Sequence, residues 1–386
     1  MEEWKQYKLG ELLTLKYGKD HKFLKEGDIP VYGSGGIMRY ANNSLSIGPS
    51  ILIPRKGSLN NIIFVNKAFW TVDTMFWSII NDIIVNPQYL YYYLKQIDFP
   101  SLNVGSAVPS LTVSVIENID VTLPNLQTQN KIAEILLSLE SKIELNRRLN
   151  DNLEQQAQAL FKSWFVDFEP FKEGKFVDSE LGMIPESWRV CSAETIFKIN
   201  IGKTPPRKEQ QWFTNINNGN VKWISISDLG SNEIFIEDSK EYLTKEAISK
   251  FNIIVVPEDT ILVSFKLTVG RVGISNCELT TNEAVARFYL PKSYFREYTY
   301  LSLKNYNYAR LGSTSSIATA VNSKIIKNMK LLIPPVTIIS EFNKRINPLF
   351  NAIRIYENEI RNLSKIRNTL LPELISGELK INDINN

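Results

Sequence analysis

Hydrophobic residues in the last part of the chain fall at Phe342, Ile346, Leu349, Ile353, Tyr356, Ile360, Leu363, Ile366 or Arg367, Leu370 and Leu374, in steps of three and four. That spacing draws one apolar stripe along an α-helix and has the heptad character of a coiled-coil seam. Pro334-Pro335 precedes the stripe and Gly377 follows it, giving a start and a stop. Pro372 lies in the last turns and is expected to kink or end them. A similar stripe follows Pro124, at Ile132, Ile135, Leu136, Leu139, Ile143, Leu149, Leu153, Ala157, Leu160 and Trp164. Asn146 and Asn150 interrupt it, polar intrusions of the kind that fix register and partner choice. Short apolar runs predict strands over 51–54, 61–65 and 76–80 before the first stripe, and over 222–227, 253–256, 261–265, 271–275 and 285–290 before the second.

The chain is written twice. Ile51-Leu52-Ile53 with Phe64 and Thr71 aligns with Ile261-Leu262-Val263 with Ile274 and Thr281, about 210 residues further on. The same offset carries Leu123-Pro124 onto Ile333-Pro334, and Ile132, Leu136, Leu139 and Ile143 onto Phe342, Ile346, Leu349 and Ile353. Trp4 and Trp188 open the copies, and Gly105-Ser106 and Gly312-Ser313 recur near their ends. Each copy is a globular part followed by a helix. A helix of about 29 residues spans about 43 Å, longer than a domain of some 120 residues is wide. Each stripe would therefore stay wet unless the other covers it, and an antiparallel pair with pseudo-two-fold symmetry is expected. The fold class is α+β: two α/β globular domains separated by two long antiparallel coiled-coil helices. The expected divisions are 1–123, 124–167, 168–333 and 334–379, with a tail at 380–386; the stretch 168–175 (FEPFKEGK) reads as a linker.

Composition limits the chemistry. With 386 residues, 44% hydrophobic and 22% charged, the chain reads as globular, and a net charge of +3 does not by itself demand a polyanionic partner. Cys191, Cys277 and His21 are the only residues of their types, so neither a Cys/His zinc set nor a disulfide framework is expected, which fits the cytoplasm. The start, MEEWK, is unlike a signal peptide, and Lys67, Asp73 and Asp82 break the most apolar window, so no membrane segment is expected. His21 sits among lysines and reads as a solvated loop residue. The glycine stretch VYGSGG at 31–36 is followed by Asn42-Asn43-Ser44 where a phosphate-binding helix should propagate, and no acidic residue follows to hold a ribose. A glycine turn between strands accounts for it. Glu140-Ser141-Lys142 and Glu173-Gly174-Lys175 match half of a nuclease motif, but the first is placed on the exposed side of a helix and the second in the linker. No catalytic set, metal site or cofactor site is expected, so the chain is not expected to be an enzyme.

What the loops hold is positive charge interleaved with aromatics and amides. Lys16, Lys19, Lys22 and Lys25 surround Tyr17 and Phe23; Lys198, Lys203, Arg207, Lys208 and Lys222 accompany Phe197, Trp212 and Phe213 in the matching segment. Arg55, Lys56, Asn60 and Asn61 form a further patch, matched by Lys266 and Arg271. Lys and Arg neutralise phosphates, while Arg, Asn and Gln read base edges. With Tyr32 and Arg39 from the glycine-turn segment, the candidate DNA-binding set is Lys19, Lys22, Tyr32, Arg39, Arg55, Lys56, Asn60, Asn61, Lys203, Arg207, Lys208, Trp212, Lys266 and Arg271.

The segment TLPNLQTQNKIAEIL at 122–136, with LFKSWFVDF at 160–168, resembles the junction into the central helix of type I restriction-modification specificity subunits. The resemblance implies two target-recognition domains, each reading half of a split double-stranded DNA sequence. It further implies methyltransferase and restriction subunits as partners, with S-adenosylmethionine, ATP and Mg2+ bound there and none by this chain. It places methyltransferase contacts at Gln129, Ile132, Ile135, Leu136, Trp164 and Phe165. The second copy, with VTIISEF at 336–342, lacks the Gln129-x-x-Ile132 element, so the resemblance supports methyltransferase docking there less than at the first copy. Two other readings stay open from the residues: a self-sufficient methyltransferase or endonuclease with an unrecognised site, and a duplicated scaffold that binds proteins.

Overall fold

A computed structural model describes residues 4–230, 233–311 and 322–380; the expected Gly312-Ser313 recurrence and 381–386 of the tail lie outside the described residues. The chain forms two compact units: Met1–Ile143 with Asn362–Asn386, and Glu144–Arg361.

Unit 1 runs β1 (Lys5–Lys8), α1 (Leu9–Leu12), β2 (Leu13–Tyr17), β3 (Ile29–Gly33), β4 (Gly36–Ala41), β5 (Ser46–Ile47), β6 (Ser50–Pro54), β7 (Ile63–Val65), β8 (Ala68–Thr71), β9 (Met75–Ile80), α2 (Pro87–Leu94), α3 (Val113–Glu117), β10 (Asp120–Leu123) and the start of α4 (Leu126–Phe165). Its sheets have the orders β2-β9-β6-β7 and β4-β3-β8-β5, and β1 pairs with β10. β6, SILIP, is buried throughout because it has a hydrogen-bonded neighbour on each side. α2 starts where it does because the Asn86 side chain accepts the N–H groups of Gln88 and Tyr89, both at 2.9 Å, with Pro87 at the first helical position. VYGSGG is the β3–β4 hairpin, with Gly36 at φ +113°.

Unit 2 follows with β11 (Phe176–Val177), β12 (Ile184–Pro185), β13 (Arg189–Ser192), α5 (Ala193–Ile196), β14 (Lys198–Ile201), β15 (Phe213–Thr214), β16 (Val221–Ile224), β17 (Phe235–Ile236), β18 (Tyr242–Leu243), α6 (Lys245–Lys250), β19 (Ile261–Ser264), β20 (Val272–Ser275), β21 (Thr280–Thr281), β22 (Val285–Tyr289), α7 (Arg296–Lys304), α8 (Ser323–Lys327), β23 (Lys330–Ile333) and α9 (Val336–Ser376). The order β14-β22-β19-β20-β17 repeats β2-β9-β6-β7 with one strand added. The parallel pair β16·β21 repeats β3·β8, and β13·β23 repeats β1·β10. The sequence repeat is thus a repeat of topology.

The helices are longer than expected, 40 and 41 residues, or about 60 Å each. In unit 1 the first turns of α4 pack with the last of α9: Ile132, Ala133 and Leu136 share a core with Leu371, Leu374, Ile375, Leu9, Ile51 and Tyr89. In unit 2 the last turns of α4 pack with the first of α9, where Phe161, Trp164 and Phe165 meet Phe342 and Ile346, with Phe165 edge-on to Phe342 at 4.7 Å. The pairing is antiparallel in each. Burial of Leu371, Leu374 and Ile375 carries α9 past Pro372 to Gly377, which takes φ +78° and lies against the Trp4 ring. Asn146 is fully buried and donates to Glu359 Oε2 at 2.8 Å, while Asn150 Oδ1 is buried without a hydrogen-bond partner among the described residues.

Three local expectations change. Residues 253–256 form no strand, only a bridge from Val256 to Leu279, because Asn252 is left-handed and Pro257 follows. The stretch 168–175 is no free linker: Phe171 lies edge-on to Trp188 at 5.1 Å and Phe168 at 5.4 Å. Glu140 is not on an exposed face, since Tyr92 donates to it at 2.8 Å and Arg367 lies 3.7 Å away.

Candidate nucleic-acid interface

In unit 1 the turn from Val72 to Met75 gathers two basic loops. Lys19 N–H donates to Thr71 O at 2.8 Å and Gly18 N–H to Met75 O at 3.0 Å; on the other side Arg55 N–H donates to Thr74 O at 2.8 Å. Gly18 is required there because a Cβ would lie 2.0 Å from the Val72 carbonyl oxygen. Trp70 Nε1–H donates to Lys19 O at 3.1 Å. The Arg55 guanidinium sits 5.2 Å from the Tyr17 ring and donates to Asp73 O at 3.3 Å. Asn61 Nδ2 donates to Ser34 O at 2.9 Å and Gly57 N–H to Pro109 O at 3.1 Å, so the glycine hairpin joins the same cluster.

Unit 2 repeats this construction. Lys203 N–H donates to Thr281 O at 2.9 Å, Trp223 Nε1–H to Lys203 O at 3.1 Å, and Phe265 N–H to Ala284 O at 2.9 Å. A Cβ on Gly202 would lie 2.0 Å from Asn282 O. The Gly-Lys steps at 18–19 and 202–203 are the signal in the sequence that marks these matched turns, and the pattern of basic residues alone did not single them out.

The candidate cations divide by what already holds them. Lys19, Lys22, Lys56, Asn60, Lys208 and Lys266 are exposed. Lys203 is exposed, with its ammonium on Phe251 O at 2.6 Å. Arg39 is half-buried and holds Leu24 O at 2.7 Å, fixing the 18–28 loop to β4. Arg271 holds Ile226 O at 2.8 Å. Arg207 pairs with both oxygens of Glu241, at 2.9 and 2.8 Å, and stacks on Phe213 and Trp223. That hydrogen bonding holds the Glu241 carboxyl below the usual range and pushes Arg207 up. Trp212 is half-buried against Phe251 and donates to Glu209 at 2.8 Å. Tyr32 is half-buried, and burial raises its hydroxyl. His21 is not fully solvated, since its Nδ1 is buried without a hydrogen-bond partner among the described residues.

The set read as partner contacts needs correction. Gln129 is buried, accepting Asn86 N–H at 2.8 Å and donating to Pro124 O at 2.9 Å, so it joins α4 to the turn before α2. Ile132 and Leu136 lie in the unit 1 core, and Trp164 and Phe165 in the unit 2 core. These five are consumed by the chain's own packing and cannot meet a partner; Ile135 alone is half-exposed.

A model of the type I restriction modification DNA specificity domain matches residues 1–155 and again 185–365. The chain belongs to that family. It is 29% identical to the type I restriction enzyme MjaIX specificity subunit of Methanocaldococcus jannaschii over 88% of this chain and 80% of that protein. To the HindI specificity subunit of Haemophilus influenzae it is 23% identical, over 98% of this chain and all of that one. The crystal structure of a type I restriction-modification S subunit from M. genitalium matches with a TM-score of 0.67 at 16% identity, covering 97% of this chain and 96% of that one, a likeness of fold. Among the described residues no helix is long and apolar enough to cross a membrane.

Proposed function

We propose that this chain is the DNA sequence-specificity subunit of a type I restriction-modification complex and reads a bipartite target, one half-site per unit. The observation that carries the reading is the matched pair of loop clusters, in which Lys19, Arg55 and Lys56 recur as Lys203, Phe265 and Lys266 around Thr71 and Thr281. Exposed lysines there supply phosphate contacts, and the exposed Asn60 amide supplies hydrogen-bonding groups for base edges, while Asn61 is held on Ser34 O. The family match supports this reading over a self-sufficient methyltransferase or nuclease and over a protein scaffold. In this proposal methyltransferase and restriction subunits carry the S-adenosylmethionine, ATP and Mg2+ chemistry, this chain contributes no catalytic group, and the complex works in the cytoplasm. The test is methylation of random-sequence DNA by this chain with its methyltransferase partner, followed by sequencing of the modified sites. A split motif of two fixed half-sites supports the reading; modification without sequence preference ends it.

A further inference from the structure

One apolar side chain in unit 2 has no folding role. Leu267, in the turn between β19 and β20, is 97% exposed and has φ +57°, a left-handed conformation disfavoured for any residue with a Cβ. Its counterpart in the repeat is Gly57, with φ +91°, and the residue before each is a lysine, Lys56 and Lys266. Both copies therefore keep a left-handed turn here, and only the first uses the residue that suits it. A Cβ on Gly57 would meet Ser34 Oγ at 2.9 Å, so a side chain there requires the Ser34 hydroxyl to turn away. In the second, the leucine stands in solvent beside an open cavity of 980 Å3, bordered also by Lys266, Ser225, Ser227 and Asn282.

The turn is rigid. Ser264 Oγ donates to Thr268 O at 2.6 Å and accepts Arg271 N–H at 3.0 Å, while Gly270 N–H donates to Ser264 O at 2.9 Å. A strained backbone held by its surroundings, presenting an apolar group to water beside the exposed ammonium of Lys266, which lies 5.9 Å from the Phe265 ring, points to a contact made with a ligand. The ligand's charge is set by Lys266 and by the matching cationic patch at Arg55 and Lys56. Base edges in the major groove offer hydrogen-bonding groups and one apolar group, the C5-methyl of thymine.

Resting on the reading of unit 2 as a DNA-recognition domain, we infer that Leu267 is a specificity-determining contact that reads a thymine methyl in the second half-site, with Lys266 on the adjoining phosphate. The variant Leu267→Gly restores the residue used by the first copy and relieves the left-handed strain, so it folds at least as stably as the parent. In the assembled complex with the methyltransferase partner, sequencing of methylated sites should show the first half-site unchanged and the second relaxed at one T·A position. The kcat/KM for methylating the cognate duplex should fall about tenfold, the scale of one lost base contact. Replacing that thymine by deoxyuridine should cost the parent protein the same factor and the variant nothing more. A second half-site that stays sharp in Leu267→Gly, contains no thymine, or is insensitive to deoxyuridine overturns the inference. So does weaker binding of the methyltransferase partner to Leu267→Gly with both half-sites still sharp in the sites that are methylated, which would make Leu267 a protein contact. If the parent complex shows no sequence preference at all, the proposed function itself has failed.

Discussion

Lys19 N–H donates to the Thr71 carbonyl at 2.8 Å, and the equivalent atoms of Lys203 and Thr281 lie 2.9 Å apart. Each bond is possible only because the preceding residue is glycine, packed without space for a Cβ against Val72 or Asn282. Gly18→Ala and Gly202→Ala should each displace one basic loop, at a cost of about 1–3 kcal/mol for overpacking. Since the sites lie in different units, Gly18→Ala should degrade one half of the methylated motif and Gly202→Ala the other. Sequencing of modified DNA from each variant checks this, and loss of both halves in either variant would contradict independent reading.

Free and committed cations should behave differently. Lys56→Ala and Lys266→Ala remove exposed ammonium groups, so each should weaken DNA binding across sequences and lower the salt slope by about 1. Arg207→Ala breaks a two-bond pair with Glu241 and uncovers Phe213 and Trp223, so its main effect should be a lower melting temperature with the salt slope kept. Binding isotherms at several salt concentrations, with melting curves, separate the two.

Glu357 of α9 is buried and accepts the N–H groups of Ile234 at 2.6 Å and Phe235 at 2.9 Å. Burial raises its carboxyl from 4.5 to about 7, with nearby Glu233 adding to the rise and the two N–H groups and Arg361 opposing it. Because the folded state holds the proton more tightly than the unfolded one, the stabilisation is full below about pH 4.5 and is lost as pH rises through about 7. Unfolding free energy should therefore fall by roughly 2–3 kcal/mol between pH 5 and pH 8. Glu357→Gln should flatten that slope in urea titrations; an unchanged slope would show that Glu357 is not its source.

Both α4 and α9 are continuous helices that begin in one unit's residues and end in the other's. Deleting one heptad from each keeps the apolar faces in phase. The number of unspecified base pairs between the half-sites should change while the bases read in each stay the same, as sequencing of the modified sites would show.

The sequence by itself determined the two long helices, the duplication and seven of the strands, β6, β7, β9, β16, β19, β20 and β22, because periodicity and repeats are local records of which faces must be buried; the shorter strands around them carry no such record. It also marked the basic loops. Only the tertiary structure decided which residues stay free, since in the loops Arg207 is neutralised by Glu241 and on α4 Gln129 is held by Asn86, partners far away in the chain. For the same reason Trp164 and Phe165, which the family resemblance placed at a partner contact, turn out to be core. Leu267 is ordinary as a letter, and it stands out once its left-handed backbone and lack of packing are known. Hydrophobic pattern specifies that a side chain wants cover; the pairing of distant segments decides whether it finds any.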